Sequence, residues 1–165
     1  MDFRRSGLEN EGFEGFVPIH HLKANDCACV PDQMGVYVVF RTPATPPAFL
    51  AESVGGYYKG ENPTVSAARL RAEWVPDVEV VYIGKAGAAG SDVTLKDRVG
   101  AYMRFGRGRP VAHRGGKLIW QLADHDDLLV CWKELSSQDP RSVEKYLIAE
   151  FARQYGPRPF ANLQG

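Results

Sequence analysis

The sequence predicts an α+β domain in which a small, mainly antiparallel, three-stranded sheet is flanked by helices. Short β-branched and aromatic runs at 35–40, 78–83 and 128–132 are typical of strands. Two segments that begin near Thr94 and Asp139 have the spacing of apolar residues that is typical of amphipathic helices. The chain has 165 residues and no internal repeat, so we expect one domain over its whole length.

The first half of the chain contains two of the predicted strands. Residues 1–30 are polar and weakly patterned, and we expect them to form an arm that lies over the domain. The first strand follows at Gly35–Phe40. Residues 41–60 are rich in Pro and Gly, which indicates a loop. A helical stretch then begins at Pro63-Thr64 and precedes the second strand, from Val78 to Ile83.

The second half of the chain carries clearer helix signals. Thr94 and Asp97 have the spacing of a capping box, and the helix that they begin is expected to reach about Arg104. The pattern of residues 116–123 is compatible with a helix or a strand, of which we favour a short helix, and 128–132 predict the third strand. Asp139-Pro140 is an N-cap followed by proline at the first helical position, which predicts a last helix that ends at Tyr155 before Gly156.

The overall charge and the cysteine content restrict the class of protein. Twenty basic residues balance 20 acidic ones, which excludes a globally basic coat and an acidic disordered tail. The three cysteines have no repeating spacing, so they do not indicate a disulfide framework. The N-terminus lacks the apolar core of a signal peptide, and no apolar run approaches the roughly 18 residues of a membrane helix. We therefore expect a cytoplasmic protein with no membrane partner.

Although the net charge of the chain is zero, one segment of it is strongly basic. Six basic residues and no acidic residue lie between Arg98 and Lys117, so the rest of the chain has an excess of six acidic groups. Such a cluster, interleaved with Tyr102 and Phe105, can neutralise nucleic-acid phosphates, although a solvated basic loop has the same pattern. The candidate nucleic-acid-binding residues are Arg104, Arg107, Arg109, His113, Arg114 and Lys117.

Glu144 is unusual for its place on the last helix. On a helical wheel it falls in the middle of the apolar stripe made by Leu147, Ile148, Phe151 and Tyr155. A carboxylate there is costly unless it is paired or bound to a metal ion. The sequence leaves open a buried ion pair with an arginine, such as Arg98, and a metal site. Arg98 could instead hold a phosphate, beside Tyr102 on the same helix face.

Several sequence motifs together resemble one family, the GIY-YIG nucleases. Within this family, the motifs are most similar to those of the nuclease domain of the bacterial excision-repair incision subunit. The motifs, in chain order, are Gly35-Val36-Tyr37, Tyr82-Ile83-Gly84-Lys85-Ala86, Leu95-Lys96-Asp97-Arg98 with Tyr102, Glu144 followed by Leu147-Ile148, and Pro159 followed by Asn162. The match spans residues 31 to 163. The family usually joins its first two strands by a short hairpin, whereas Tyr37 and Tyr82 here lie 45 positions apart. Residues 42–77 are therefore expected to be an insertion.

The resemblance implies a metal-dependent endonuclease, a hydrolase of phosphodiester bonds in DNA, with RNA not excluded. It implies that Glu144 ligates a single Mg²⁺ or Mn²⁺, and that Arg98 neutralises the charge that develops on the phosphate. Tyr37 is expected to orient or deprotonate the attacking water, with help from Lys85 or the metal. Tyr82 is expected to position the water or the phosphate.

The resemblance also assigns two further residues. Tyr102 stands where the family carries His or Tyr, and Asn162 is expected to brace the site. Two other functions stay open at this point. The chain could be a non-catalytic nucleic-acid-binding module that keeps the fold, or an interaction protein whose insertion at 42–77 binds a protein partner.

Overall fold

An antiparallel sheet of four strands, with helices on both of its faces, organises residues 1–113 and 115–163, which this computed structural model describes. The elements in chain order are α1 (Arg5–Asn10), β1 (Glu14–Pro18), α2 (Ile19–Ala24), β2 (Gly35–Phe40), α3 (Ala67–Glu73), β3 (Val80–Ala86), α4 (Leu95–Gly106), 3₁₀ turns at Lys117–Gln121 and His125–Asp127, β4 (Leu129–Glu134) and α5 (Pro140–Tyr155). The predicted α+β class is confirmed.

The order of strands in the sheet is β1-β4-β2-β3. Strand β2 pairs antiparallel with β3 on one side and with β4 on the other, so Tyr37 lies opposite both Gly84 and Trp132. The expectation of three strands is wrong by one for the described part of the chain, because β1 pairs with β4 and extends the sheet. Strand β3 forms the opposite end of the sheet.

The additional strand comes from residues 1–30, the segment that the sequence predicts to be an arm. This segment forms α1, β1 and α2, and it contributes Leu8, Ile19 and Leu22 to the buried core. Its pattern is weak because each of its elements has only five or six residues. The register of β1 also shifts between Gly15 and Val17, which interrupts the alternation expected of a strand.

Two buried clusters lie on the two faces of the sheet. Along β2, Tyr37 and Val39 belong to one cluster, and Val36, Val38 and Phe40 belong to the other. This division follows from the alternation of side chains along a strand. The first cluster includes apolar residues of α2, α4 and the first 3₁₀ turn, whereas the second includes residues of α1 and α5.

Local signals account for the two long helices. The hydroxyl of Thr94 accepts a hydrogen bond from the Asp97 amide, and the Asp97 carboxylate accepts one from the Thr94 amide, so the predicted capping box is present. Asp139 caps α5, and Pro140 occupies its first turn. Within the segment 116–123, Lys117–Gln121 form a five-residue 3₁₀ turn, which is wound more tightly than an α-helix.

The insertion at 42–77 is bound to the body of the protein by the buried side chain of Gln121. This side chain donates to the carbonyl groups of Leu50 and Val65, and it accepts a hydrogen bond from the Val65 amide. Helix α3 lies within the insertion and begins at Ala67, four residues after the predicted start. Among the residues described, no helix has the length and apolar character needed to cross a membrane.

Candidate functional site

Two adjoining clefts contain most of the residues that the sequence singles out. We call one the small cleft, with a volume of about 330 Å³ and a lining that includes Tyr82, Lys85, Arg98 and Glu144. We call the other the large cleft, of about 500 Å³, where Tyr82 and Glu144 appear again with Lys117. Because Tyr82 and Glu144 line both, the two clefts meet at these side chains. The residues of the small cleft come from β3, the loop between β3 and α4, α4 and α5.

Three tyrosines pack against one another behind this meeting point. The ring centroids of Tyr37, Tyr82 and Tyr102 are 5.7 to 6.3 Å apart. Tyr37 is fully buried, with 0% exposure, whereas Tyr82 lines the clefts. Burial raises the pKa of Tyr37 well above its usual value, which is the opposite of what a base for the attacking water needs. Burial also raises the pKa of Tyr82, to about 12, so this residue presents a neutral hydroxyl.

His113 completes the aromatic cluster from the loop after α4. Its ring stacks on Tyr102 with centroids 4.3 Å apart, and its Nε2 lies 3.2 Å from the hydroxyl oxygen of Tyr37. Burial, and secondarily the charge of Arg98, lowers the pKa of His113 to about 3, so its imidazole is neutral near pH 7. The hydroxyl of Tyr102 donates a 2.7 Å hydrogen bond to the carbonyl of Gly116, which holds the same loop.

Glycine residues make room for two of these rings. A Cβ atom on Gly84, directly opposite Tyr37 in the sheet, would lie 2.5 Å from the Cζ atom of that tyrosine. A Cβ atom on Gly116, where φ is +71°, would lie 2.3 Å from the Tyr102 hydroxyl. The glycine of the Tyr-Ile-Gly motif is thus required by the close approach of a buried tyrosine ring.

Glu144 is half-buried, and it lines both clefts. In the described part of the chain, no basic side chain forms an ion pair with its carboxylate within 4.0 Å, so the arginine partner considered from the sequence is absent there. Burial raises the pKa of Glu144, and the charges of Lys85 and Arg98 partly oppose this. The carboxylate therefore faces cations without forming a direct contact with them.

Lys85 and Arg98 are held mainly by backbone carbonyls. Nη1 of Arg98 lies 3.5 Å from the carbonyl oxygen of Ala112, and Nζ of Lys85 lies 3.4 Å from that of Gly87. Both are weak contacts at the limit of hydrogen bonding. Within the part of the chain that the structure describes, the two cations thus keep most of their donors for an anion in the small cleft.

Asn162 lies beside β3, the strand at one edge of the sheet. Its side-chain oxygen accepts a hydrogen bond from the Ile83 amide at 2.9 Å, and its Nδ2 donates to the Ile83 carbonyl at 2.7 Å. The amide of Ala161 donates to the Val81 carbonyl at 2.9 Å. The C-terminal segment therefore occupies backbone groups that an edge strand would expose, next to Tyr82.

The structure divides the basic segment between different places. Lys117 lines the large cleft, whereas Arg104, Arg107 and Arg109 line a separate cleft against α2. A guanidinium nitrogen of Arg107 also donates to the carbonyl of Lys23 in that helix. His113, with 1% exposure, belongs to the buried tyrosine cluster and has little surface for a phosphate backbone. Arg114 lies outside the described residues.

Three features of the site have no signal in the sequence. They are the pairing of Tyr37 with His113, the attachment of the insertion through Gln121, and the presence of Tyr58 and Pro63 from the insertion in the lining of the large cleft. All of them join residues that are far apart in the chain. A contact between distant residues leaves no local periodicity, so the sequence pattern could not reveal it.

The site offers one carboxylate, that of Glu144, as a ligand for a hard divalent cation. Nowhere in 1–113 or 115–163 do three His, Cys, Asp or Glu side chains group closely enough to hold a metal ion. A multidentate site is therefore absent from this part of the chain. Mg²⁺ and Mn²⁺ prefer oxygen donors, and Mg²⁺ keeps several of its waters, so the carboxylate of Glu144, which has no ion-pair partner among the described residues, fits such an ion.

Comparison with known proteins found no family model, curated protein or solved structure that matches this chain. The likeness to the GIY-YIG nucleases consequently rests on the motifs of the sequence and stays a prediction.

Proposed function

We propose that this protein is a divalent-cation-dependent endonuclease that hydrolyses phosphodiester bonds in DNA, and that it is a member of the GIY-YIG nucleases. One observation carries the proposal. Tyr82, Lys85, Arg98 and Glu144, which lie up to 62 positions apart in the chain, line a single small cleft. The cleft thus combines cations for a phosphate, a carboxylate without an ion-pair partner in 1–113 and 115–163 for a metal ion, and a hydroxyl for a water molecule.

Lys85 and Arg98 bind the scissile phosphate. The guanidinium of Arg98 has a planar set of donors that matches two phosphate oxygens, and Lys85 adds a point charge. The weak backbone contacts of both side chains can be exchanged for contacts with the substrate. Their charges oppose the negative charge that grows on the phosphate during hydrolysis.

Glu144 holds the divalent cation. When bound, the cation supplies a Lewis acid at the phosphate and lowers the pKa of a bound water. The raised pKa of Glu144 means that its carboxylate is poorly compensated in the free protein, which favours a cation as its partner.

Tyr82 orients the attacking water with its neutral hydroxyl, since it is the tyrosine that lines the cleft. Tyr37, Tyr102 and His113 act from behind it as positioning residues, because Tyr37 and Tyr102 are fully buried. This distribution of roles moves the water-orienting function from Tyr37 to Tyr82.

Cleavage of DNA by matched variants tests the proposal. Supercoiled and single-stranded DNA are incubated with the protein and Mg²⁺ or Mn²⁺, and the variants are Glu144→Gln, Arg98→Ala and the control Glu150→Gln. The control makes the same charge change on α5, at a surface pair with Arg153. We expect the wild type and the control to cut, and the two site variants to lose roughly 100-fold or more in rate.

Two results would contradict parts of the proposal. If Glu144→Gln cuts as fast as Glu150→Gln, the carboxylate does not hold the cation. If the wild type binds DNA but cuts neither form of DNA, nor single-stranded RNA incubated in the same way, the chain is a non-catalytic nucleic-acid-binding module.

A further inference from the structure

The large cleft extends the proposed site beyond the groups that hydrolysis of a phosphodiester requires. It meets the small cleft at Tyr82 and Glu144, but Lys85 and Arg98 line only the small one. Its volume of about 500 Å³ lies within the range of roughly 300–1,000 Å³ that is typical of small-molecule sites. The large cleft therefore has room for a part of the substrate next to the scissile phosphate.

The insertion forms one wall of the large cleft, and it contributes a third of the lining: Gly56, Tyr58, Glu61, Asn62 and Pro63. Phe105 of α4, Ile148 of α5 and Leu163 of the C-terminal segment add apolar surface. Tyr58, Phe105, Tyr82 and His113 bring four aromatic rings to the lining, and Tyr58 is the only one of these four residues that is not buried. Planar aromatic side chains are the usual partners of unstacked nucleobases.

Backbone contacts hold this wall in place before any ligand binds. The amide of Gly56 donates to the carbonyl of Phe105 at 2.9 Å, and a Cβ atom on Gly56 would lie 1.9 Å from the carbonyl oxygen of Arg109. A 3.1 Å hydrogen bond from the Glu61 amide to the Tyr58 carbonyl closes the turn at the tip of the insertion. A preformed wall reduces the entropy that binding would otherwise lose.

The charges of the two clefts differ in a way that orients a nucleotide. In the small cleft, Lys85 and Arg98 outnumber Glu144. In the large cleft, Lys117 is outnumbered by Glu61 and Glu144 among the lining residues. A phosphate is thus favoured in the small cleft, and the uncharged nucleoside is favoured in the large one.

We propose that the large cleft binds one nucleoside, the one attached to the phosphate in the small cleft, and that its base stacks on Tyr58. A base that stays paired and stacked in a duplex cannot enter a cleft walled by protein, so the preferred substrate has an unpaired or extruded nucleotide at the scissile bond. This inference rests on the proposed function, because it names the form of DNA on which the same site acts.

Equilibrium binding to the full chain tests the cleft. The probes are 2′-deoxyadenosine 5′-monophosphate, its 3′-monophosphate isomer and inorganic phosphate, at one ionic strength. We expect one of the two nucleotides to bind at least about tenfold more tightly than inorganic phosphate, because stacking adds to the affinity. Tyr58→Leu keeps apolar bulk but removes the planar ring, and it should reduce that preference by about tenfold. Tyr58→Phe keeps the ring and should retain the preference.

Tyr57 provides the matched control. It is the neighbouring tyrosine of the insertion, it is 56% exposed, and it is not part of the large-cleft lining. Tyr57→Leu should leave all three affinities unchanged. The proposal is overturned if both nucleotides bind no more tightly than inorganic phosphate, or if Tyr58→Leu and Tyr57→Leu have the same effect.

Cleavage separates failure of this inference from failure of the proposed function. Matched DNA duplexes with and without one unpaired nucleotide are compared, and we expect the unpaired form to be cut at least about tenfold faster by the wild type, with Tyr58→Leu removing the difference. Equal cutting of both forms overturns the nucleoside site and leaves the nuclease in place. Nucleotide binding without any cutting rejects the nuclease and supports the nucleoside cleft.

Discussion

The hydroxyl oxygen of Tyr37 lies 3.2 Å from Nε2 of His113, across 76 positions of the chain. Both side chains are buried, and this contact supplies each polar atom with a partner in the interior. The Nδ1 atom of His113 has no hydrogen-bond partner among the residues that the structure describes. This pair connects β2, one of the two inner strands of the sheet, to the loop between α4 and the first 3₁₀ turn.

The first prediction concerns the free energy of unfolding that this pair contributes. Tyr37→Phe should reduce it by about 1–3 kcal/mol, because Nε2 of His113 loses its partner in the interior. His113→Phe keeps a ring to stack on Tyr102. In this variant, a further Tyr37→Phe change should lower the free energy of unfolding by less than it does in the wild type. Urea unfolding of the single and double variants measures this coupling, with Tyr57→Phe as an exposed control. Strictly additive losses would show that the two groups do not interact.

The second prediction concerns acid stability. The pKa of His113 is lowered from 6.5 in the unfolded chain to about 3 in the fold, so the unfolded state binds the extra proton first. The contribution of the neutral His113 side chain to the free energy of unfolding is complete above pH 6.5. It is lost as the pH falls from 6.5 towards 3, at up to about 1.4 kcal/mol per pH unit. Urea unfolding between pH 7 and 4 should give a steeper loss for the wild type than for His113→Asn. Parallel curves would contradict the buried, neutral imidazole.

The third prediction compares two glycines. Gly84→Ala should destabilise the protein by about 1–3 kcal/mol, because the new Cβ atom would lie 2.5 Å from the buried ring of Tyr37. Gly100→Ala, inside α4, meets only the flexible end of Arg104 at 3.3 Å and should stabilise by up to about 1 kcal/mol. Thermal or urea unfolding measures both, and equal effects would contradict the close approach at Gly84.

The fourth prediction concerns the edge of the sheet at β3. Asn162→Ala should expose the Ile83 amide, since the Asn162 side chain is the group that accepts its hydrogen bond. Amide hydrogen exchange at Ile83 should become faster by one to two orders of magnitude, which corresponds to roughly 1–3 kcal/mol. Asn62→Ala, in an exposed turn of the insertion, is the control and should leave Ile83 unchanged. Unaltered protection of Ile83 in Asn162→Ala would mean that the side chain does not hold this edge.

The fifth prediction concerns the pH dependence of cation binding. A divalent cation needs the ionised form of Glu144, so Mn²⁺ affinity should fall as the pH falls through the pKa of Glu144, which burial raises above its ordinary value of 4.5. Lys85→Met removes the charge that most opposes this rise, so the loss of affinity should begin at a higher pH.

Titration of Mn²⁺ binding by electron paramagnetic resonance at several pH values measures this shift. Lys96→Met removes a charge that is paired with Asp32 away from the clefts, and it should reproduce the wild-type profile. An identical profile in Lys85→Met and Lys96→Met would contradict the electrostatic effect of Lys85 on the pKa of Glu144.

The sequence alone predicted the elements that have strong local signals. The β-branched runs located β2, β3 and β4 to within a few residues, and the caps at Thr94 and Asp139 located the starts of α4 and α5. These signals are local because strand alternation, capping and proline geometry depend on residues only a few positions apart. The same reasoning missed β1, whose five residues contain a register shift.

The tertiary structure decided which chemical role each candidate residue can take. Sequence patterns identified Tyr37, Tyr82, Arg98 and Glu144, but they could not tell that Tyr37 is sealed inside while Tyr82 lines both clefts. Exposure and pKa depend on every atom that surrounds a side chain, and most of those atoms come from distant parts of the chain. For the same reason, the sequence could not show that the insertion at 42–77 lines the large cleft, where Gln121 and backbone hydrogen bonds such as that from Gly56 to Phe105 attach it to the rest of the chain.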